Sequence, residues 1–236
     1  MVLPKGKGLL PGLILQPGGR LGSYDDFTPF AHILAGYGTV VMMIIDPYTR
    51  HGGWQPTEFT GATWPYYTNQ DLDYKIQYIT DLRRAIDILA TRPDVNPERL
   101  AYWGNSYGGA MGDLLAGIEN RLVAYVLKIR DGGLVEHTYE SGDDGLPAHF
   151  GKEWAALMWP TESLHDISRS APAAILFQNG IHDINVPPTD AMRNQTAASE
   201  PKTVDWYDSG HDLPVEPYLD AADWLQPYLG EDQRWF

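Results

Sequence analysis

Short apolar runs alternate with amphipathic stretches along most of this chain. Apolar or β-favouring runs at 12–16, 39–46, 99–104, 122–129, 173–178 and 202–207 predict six strands. Between them, residues 24–37, 71–91, 107–118, 188–198 and 217–228 carry the spacing of helices. The 71–91 stretch has the clearest stripe: Leu72, Ile76, Ile79, Leu82, Ile86 and Leu89 recur on one face before Pro93 ends it. Such alternation predicts an α/β fold with a mostly parallel central sheet of about six strands and helices on both faces. Sites in sheets of this kind lie at the carboxyl ends of the strands, so those ends are where chemistry is sought.

The end of the 99–104 strand is the most informative. There Gly104-Asn105-Ser106-Tyr107-Gly108-Gly109 forms a G-x-S-x-G between the run Arg99–Trp103 and the small-residue helix that starts at Tyr107. The bare pattern is weak in a chain with 24 glycines. Its flanks give it meaning, because a sharp strand-to-helix turn lifts a serine hydroxyl above the sheet, and Gly104 and Gly108 stand where a β-carbon would collide. Downstream, Asp183 follows the 173–178 strand and His211 follows the 202–207 strand. A nucleophile, an acid and a base in that order suit acyl transfer. Asp131, which also follows a strand, is the rival acid. His182 beside Asp183 reads as a bystander, and His32, His51, His137, His149 and His165 as packing or surface residues.

Three motifs, G-N-S-Y-G-G around Ser106, G-x-x-D-x-x-V-P from Gly180 to Pro187, and S-G-H from Ser209 to His211, give the chain a resemblance to the α/β-hydrolase superfamily from about residue 11 to 230. The nearest branches are the dienelactone-hydrolase-like proteins and small serine esterases. The resemblance implies Ser106 as nucleophile, Asp183 as orienting acid and His211 as base. The dienelactone hydrolases use a cysteine nucleophile, and this chain has no cysteine, so the serine esterase mechanism is the one carried over. It also implies an oxyanion hole made by the backbone N–H groups of Tyr107 and of Gly19, with Arg20 next in line; Pro17 stands where the family often has histidine. The strands that usually precede the oxyanion loop are reduced or absent here, which puts the 39–46 run at or near a sheet edge. A long apolar edge is not left bare. It is expected to be covered either by residues 1–10 folded back or by a second subunit in a two-fold homodimer.

Length and composition fit a single α/β-hydrolase domain over 1–236, with a small lid or cap inserted around 131–170. Aromatics gather in two long loops, Tyr48–Asn69 (Trp54, Phe59, Trp64, Tyr66, Tyr67) and Arg130–Ser170 (His137, Tyr139, Phe150, Trp154, Met158, Trp159). They read either as walls of an acyl or alcohol pocket or as anchors that hold the loops to the body. A net charge of −14 argues against nucleic acid or an anionic membrane surface as partner. The start, Met1–Gly8, lacks the pattern of a signal peptide, so a cytoplasmic location is the default. No histidine pair has metal-ligand spacing, and neither metal nor other cofactor is expected.

The activity expected is hydrolysis of small or medium carboxylic esters through an acyl-enzyme, a carboxylesterase with a small-molecule ester as its partner. Peptidase and thioesterase are alternatives on the same fold. The first would call for an added recognition domain and the second for a basic entrance, neither of which the sequence advertises. A non-catalytic binding protein that keeps the fold is the alternative of another class.

Overall fold

A computed structural model describes residues 1–5, 8–18, 23–47, 70–130, 132, 133, 135 and 152–230. Its centre is a six-stranded sheet in which every pairing is parallel. In chain order the elements are β1 (Leu10–Gln16), α1 (Ser23–Gly36), β2 (Val40–Met42), α2 (Gln70–Ala90), β3 (Val95–Asn105), α3 (Tyr107–Ile118) and β4 (Ala124–Lys128). They continue with α4 (Lys152–Met158), α5 (Ser163–Asp166), β5 (Ala174–Gly180), α6 (Pro188–Ala197), β6 (Lys202–Tyr207) and α7 (Glu216–Leu229).

Strands buried on both faces need apolar residues at odd and even positions alike, and they have them. Ile14, Tyr102, Tyr125, Leu127, Ile175 and Phe177 point to one side, where Leu82, Ile86 and Leu89 of α2 and Met111 and Leu115 of α3 cover them. Leu13, Leu15, Trp103, Val126 and Leu176 point to the other, beneath Leu34 of α1 and Ala221, Leu225 and Leu229 of α7. The stripe read from the sequence of α2 is therefore the face that meets the sheet, although its outer member Ile76 is 54% exposed.

The strand order is β2-β1-β3-β4-β5-β6. From β1 the chain moves outward to β2, then returns to the other side of β1 to build the rest. The direction of winding thus reverses between β1 and β3, and at such a switch point the loops leaving adjacent strand ends diverge and leave a crevice. The loop after β1 and the turn after β3 are the two that carry Gly18 and Ser106.

β2 is an edge strand, as the missing strands before the oxyanion loop implied, though it is shorter than 39–46 because its pairing with β1 extends only from Gly12 to Ile14. Its outer side is covered by the N-terminal segment. Val2 and Val41 exchange two backbone hydrogen bonds, Val2 N–H to Val41 O at 2.8 Å and Val41 N–H to Val2 O at 3.0 Å, in an antiparallel bridge. Of the expected lid, Asp131, Leu134 and Glu136–Gly151 lie outside the described residues. The described part, 152–170, is a chain of short helical turns anchored by Met158, which packs with Val135, Leu72 and Ala155. Among the described residues no helix is long and apolar enough to cross a membrane.

Candidate active site

The turn after β3 is held in a backbone conformation that side chains seldom adopt. Ser106 has φ 50° and ψ −117°, between the last residue of β3 and the first of α3. Strain of this kind persists only where the surroundings over-determine it. Here Ser106 N–H donates to Lys128 O on β4 at 2.9 Å, Ala110 N–H donates to Ser106 O at 2.9 Å, and the buried Tyr102 hydroxyl donates to Gly108 O at 2.5 Å. Close approach does the remainder: a β-carbon on Gly104 would strike the Gly108 carbonyl. The result is a serine raised at the carboxyl end of the sheet.

His211 and Asp183 reach the same place from the two strands farthest along the sheet on that side. β5 and β6 run on as a bonded pair past their ends, with Ile181 N–H to Tyr207 O at 2.9 Å and His182 N–H to Ser209 O at 3.0 Å. That pairing sets the Asp183 loop against the His211 loop. His211 Nε2 lies 3.0 Å from Ser106 Oγ, and His211 Nδ1 lies 2.8 Å from Asp183 Oδ2. The Asp183 side chain is fully buried and that of His211 is 21% exposed. Asp183 Oδ1 accepts the amides of Asn185 and Val186, both at 2.9 Å, so the carboxylate presents Oδ2 alone to the imidazole. An anionic acceptor at Nδ1 favours the tautomer with its proton there, which leaves Nε2 as the acceptor for the serine hydroxyl.

The other predicted site residues fall out as follows. Tyr107 is the first residue of α3, at the positive end of that helix. Gly19, Arg20 and Asp131 lie outside the described residues. Gly18 is described, and it sits against the serine: a β-carbon there would stand 3.3 Å from Ser106 Cβ. His182 pairs with Asp208 at 2.8 Å at the surface, outside the Ser106–His211–Asp183 line. All of the Tyr48–Asn69 loop, and His137, Tyr139 and Phe150 of the second aromatic loop, are outside the described residues. Of that second loop Met158 is buried as an anchor, while Trp159 is 48% exposed and meets His165 edge-on.

Sequence reasoning missed the polar residues beneath the turn. Gln16, fully buried at the end of β1, accepts the Tyr78 hydroxyl of α2 at 2.8 Å. Arg130, just past β4, forms a buried ion pair with Asp113 of α3. Lys128 is completely buried under α7. The one available signal was a lysine and an arginine standing in or beside the otherwise apolar 122–129 run. Among the described residues no cluster of histidine and carboxylate side chains could hold a metal ion. A cavity of about 550 Å³ opens at the amino ends of β4 and β5, away from Ser106, and its arginines 83, 121 and 169 are each ion-paired.

What this geometry can do is move a proton from a serine hydroxyl to an imidazole held by a buried carboxylate. Solved structures share the fold over nearly the whole chain. The acetyl xylan esterase from Paenibacillus sp. R4 superposes with a TM-score of 0.75 at 21% identity, covering 96% of this chain and 78% of its own. Acetyl xylan esterase 1 from Thermoanaerobacterium sp. JW/SL YS485 gives 0.68 at 18% identity, covering 97% and 78%. Dipeptidyl peptidase 4 from Porphyromonas gingivalis gives 0.72 at 22% identity, covering 95% of this chain but 32% of that longer one. No curated protein sequence matches significantly. At the sequence level, residues 57–208 match the prolyl oligopeptidase family, peptidase S9. With the matched segment spanning more than half of the chain and the sheet that of an α/β-hydrolase, this protein belongs to the prolyl oligopeptidase family of serine hydrolases.

Proposed function

We propose that the protein hydrolyses small or medium neutral carboxylic esters, with Ser106 as nucleophile, His211 as general base and acid, and Asp183 as the group that orients the histidine. The observation that carries this reading is the continuous line from Asp183 Oδ2 through His211 to Ser106 Oγ, with bonds of 2.8 and 3.0 Å. Ser106 Oγ attacks the acyl carbon as His211 Nε2 takes its proton, and the Asp183 carboxylate stabilises the imidazolium that forms. Negative charge collects on the former carbonyl oxygen, where the N–H groups of Tyr107 and Gly19 receive it. His211 then protonates the departing alcohol. Water, deprotonated by the same nitrogen, releases the acid from the acyl-enzyme.

The esterase reading draws support from the acetyl xylan esterases, whose fold this chain shares over most of their length. Two observations favour a second reading, peptide hydrolysis: the family match and the shared fold of the Porphyromonas dipeptidyl peptidase. Nitrophenyl acetate and butyrate assayed beside dipeptide nitroanilides separate the two. Faster turnover of the esters, abolished in Ser106→Ala, is expected. Preferential cleavage of the anilides would move the assignment to a peptidase, and hydrolysis of neither would leave a binding protein on a hydrolase fold.

A further inference from the structure

Lys128 is the last residue of β4, fully buried, and its Nζ makes no hydrogen bond among the described residues. The amine instead stands over aromatic faces, 3.3 Å from the centroid of the Tyr218 ring and 5.4 Å from that of Trp103. Those two rings stack on each other, and Phe30 of α1 meets both edge-on. Burial drives the Lys128 amine well below its ordinary range, opposed by the charge of Asp220. A methionine would fill the same space without desolvating an amine, so packing alone does not account for lysine here.

Two routes lead from Lys128 to the serine. Through the backbone, its carbonyl accepts Ser106 N–H directly. Through the side chain, Nζ holds the face of Tyr218, whose hydroxyl accepts a 2.9 Å bond from Asn105 Nδ2, while Asn105 Oδ1 accepts Trp103 Nε1 at 3.2 Å. Asn105 is the residue before Ser106, and it lies opposite Lys128 in the register of β3 and β4. Contact of the amine with the ring face, which an N–H group makes whether or not the amine is charged, restrains the plane of Tyr218. The fixed phenol then fixes the side chain of Asn105, and with it the peptide entering the strained turn.

We propose that Lys128 is a positioning residue for Ser106, acting through the face of Tyr218 and the Tyr218–Asn105 hydrogen bond to aim the serine hydroxyl at His211. The proposal rests on the reading of Ser106 as the nucleophile. It makes Lys128 and Tyr218 two links of one path, so their removal is not additive.

A fluorophosphonate probe tests this without reference to the natural substrate. Ser106 Oγ forms the bond to phosphorus, fluoride leaves, and the serine proton passes to His211. The labelling rate is measured for the intact protein, Lys128→Met, Tyr218→Phe and the double variant, with thermal midpoints beside each. Each single variant is expected to label roughly tenfold more slowly, within the range that misplacing a reacting group costs, and the double variant no more slowly than the slower single. Labelling of Lys128→Met within about twofold of the intact protein, or losses that multiply in the double variant, would overturn the path. A lowered midpoint with an unchanged rate would leave Lys128 as packing only. Should Lys128→Met fail to fold, Tyr218→Phe decides alone, because it keeps the ring on the amine and removes the bond to Asn105: labelling at the intact protein's rate overturns the proposal. If the intact protein does not label at Ser106, the nucleophile reading falls first, and this one with it.

Discussion

Gly108 lies so close beneath the end of β1 that a β-carbon on it would stand 2.5 Å from the carbonyl oxygen of Pro17. The Gln16 carbonyl is nearly as near, at 2.7 Å. Both obstacles are backbone, so neither can swing aside, and the first turn of α3 is seated directly on the loop that carries Gly18. Gly108→Ala is therefore expected to cost at least about 1–3 kcal/mol of stability and to lower ester turnover as Gly18 is pushed away from Ser106. Gly36→Ala is the control. Nothing stands within 4 Å of a β-carbon there, and a gain of about 0.4–1 kcal/mol is expected. Chemical denaturation and an ester assay on both variants check this; equal behaviour of the two would contradict the close seating.

Ser106→Ala should abolish hydrolysis, on the order of 10⁶ in turnover, and leave the fold intact. The hydroxyl's one described bond is to His211, so nothing in the core depends on it. Residual turnover above a few per cent would remove Ser106 from the role of nucleophile.

Asp183→Asn separates orientation from architecture. An asparagine oxygen can still accept the amides of Asn185 and Val186, but its other end is an NH₂ that cannot accept from Nδ1–H. Turnover should fall by roughly 10⁴ with the loop still folded. Asp131→Asn should do far less, and the reverse order of effects would put the acid on the earlier strand.

Acid should loosen the end of the molecule opposite the site. Burial pushes the Glu119 carboxyl up, but the Arg121 guanidinium and amide, with the charge of Arg83, bring it below the ordinary glutamate value. Arg121 also draws the Asp87 carboxyl down, helped by Arg84. A carboxyl depressed in the folded state contributes stability above its unfolded value and loses it as protons bind. Thermal midpoints should thus fall as pH drops below about 4.5, and Glu119→Gln should flatten part of that fall. Parallel curves for the two proteins would show that this pair does not contribute.

Removal of residues 1–4 bares the amide and carbonyl of Val41 on an edge strand. Exposed apolar edges recruit other chains. Light scattering should show association of the truncated protein under conditions where the intact chain stays unassociated; a truncated chain that stays dispersed would show that Val2 is not needed as a cover.

The sheet and its order of chemistry could be read from the sequence because both rest on local rules. Apolar runs of strand length, a helical stripe that Pro93 ends, and glycines around a serine each carry their own physical reason. What escaped depends on register. The apolar run at 39–46 could not reveal that β1 offers pairing partners to Val40–Met42 alone. β3 begins earlier than expected, at Val95, because Asn96, Pro97 and Glu98 resemble a turn until Leu10 is placed against Val95. Lys128 carries no local signal of a partner within its apolar strand. Its neighbours Asn105 and Tyr218 are 113 residues apart, and only the packing of α7 on the sheet brings them together.

The extension of β5 and β6 past their ends ties the position of His211 to the border of the sheet. Ser106, Gly104, Gly108 and the carbonyl of Lys128 belong to β3, α3 and β4, whereas His211 follows β6, the outermost strand on its side. A molecule from which β6 had peeled away would therefore hold Ser106 without His211 beside it. On the proposed mechanism, loss of that one border strand would disarm the serine while the inner sheet stayed together.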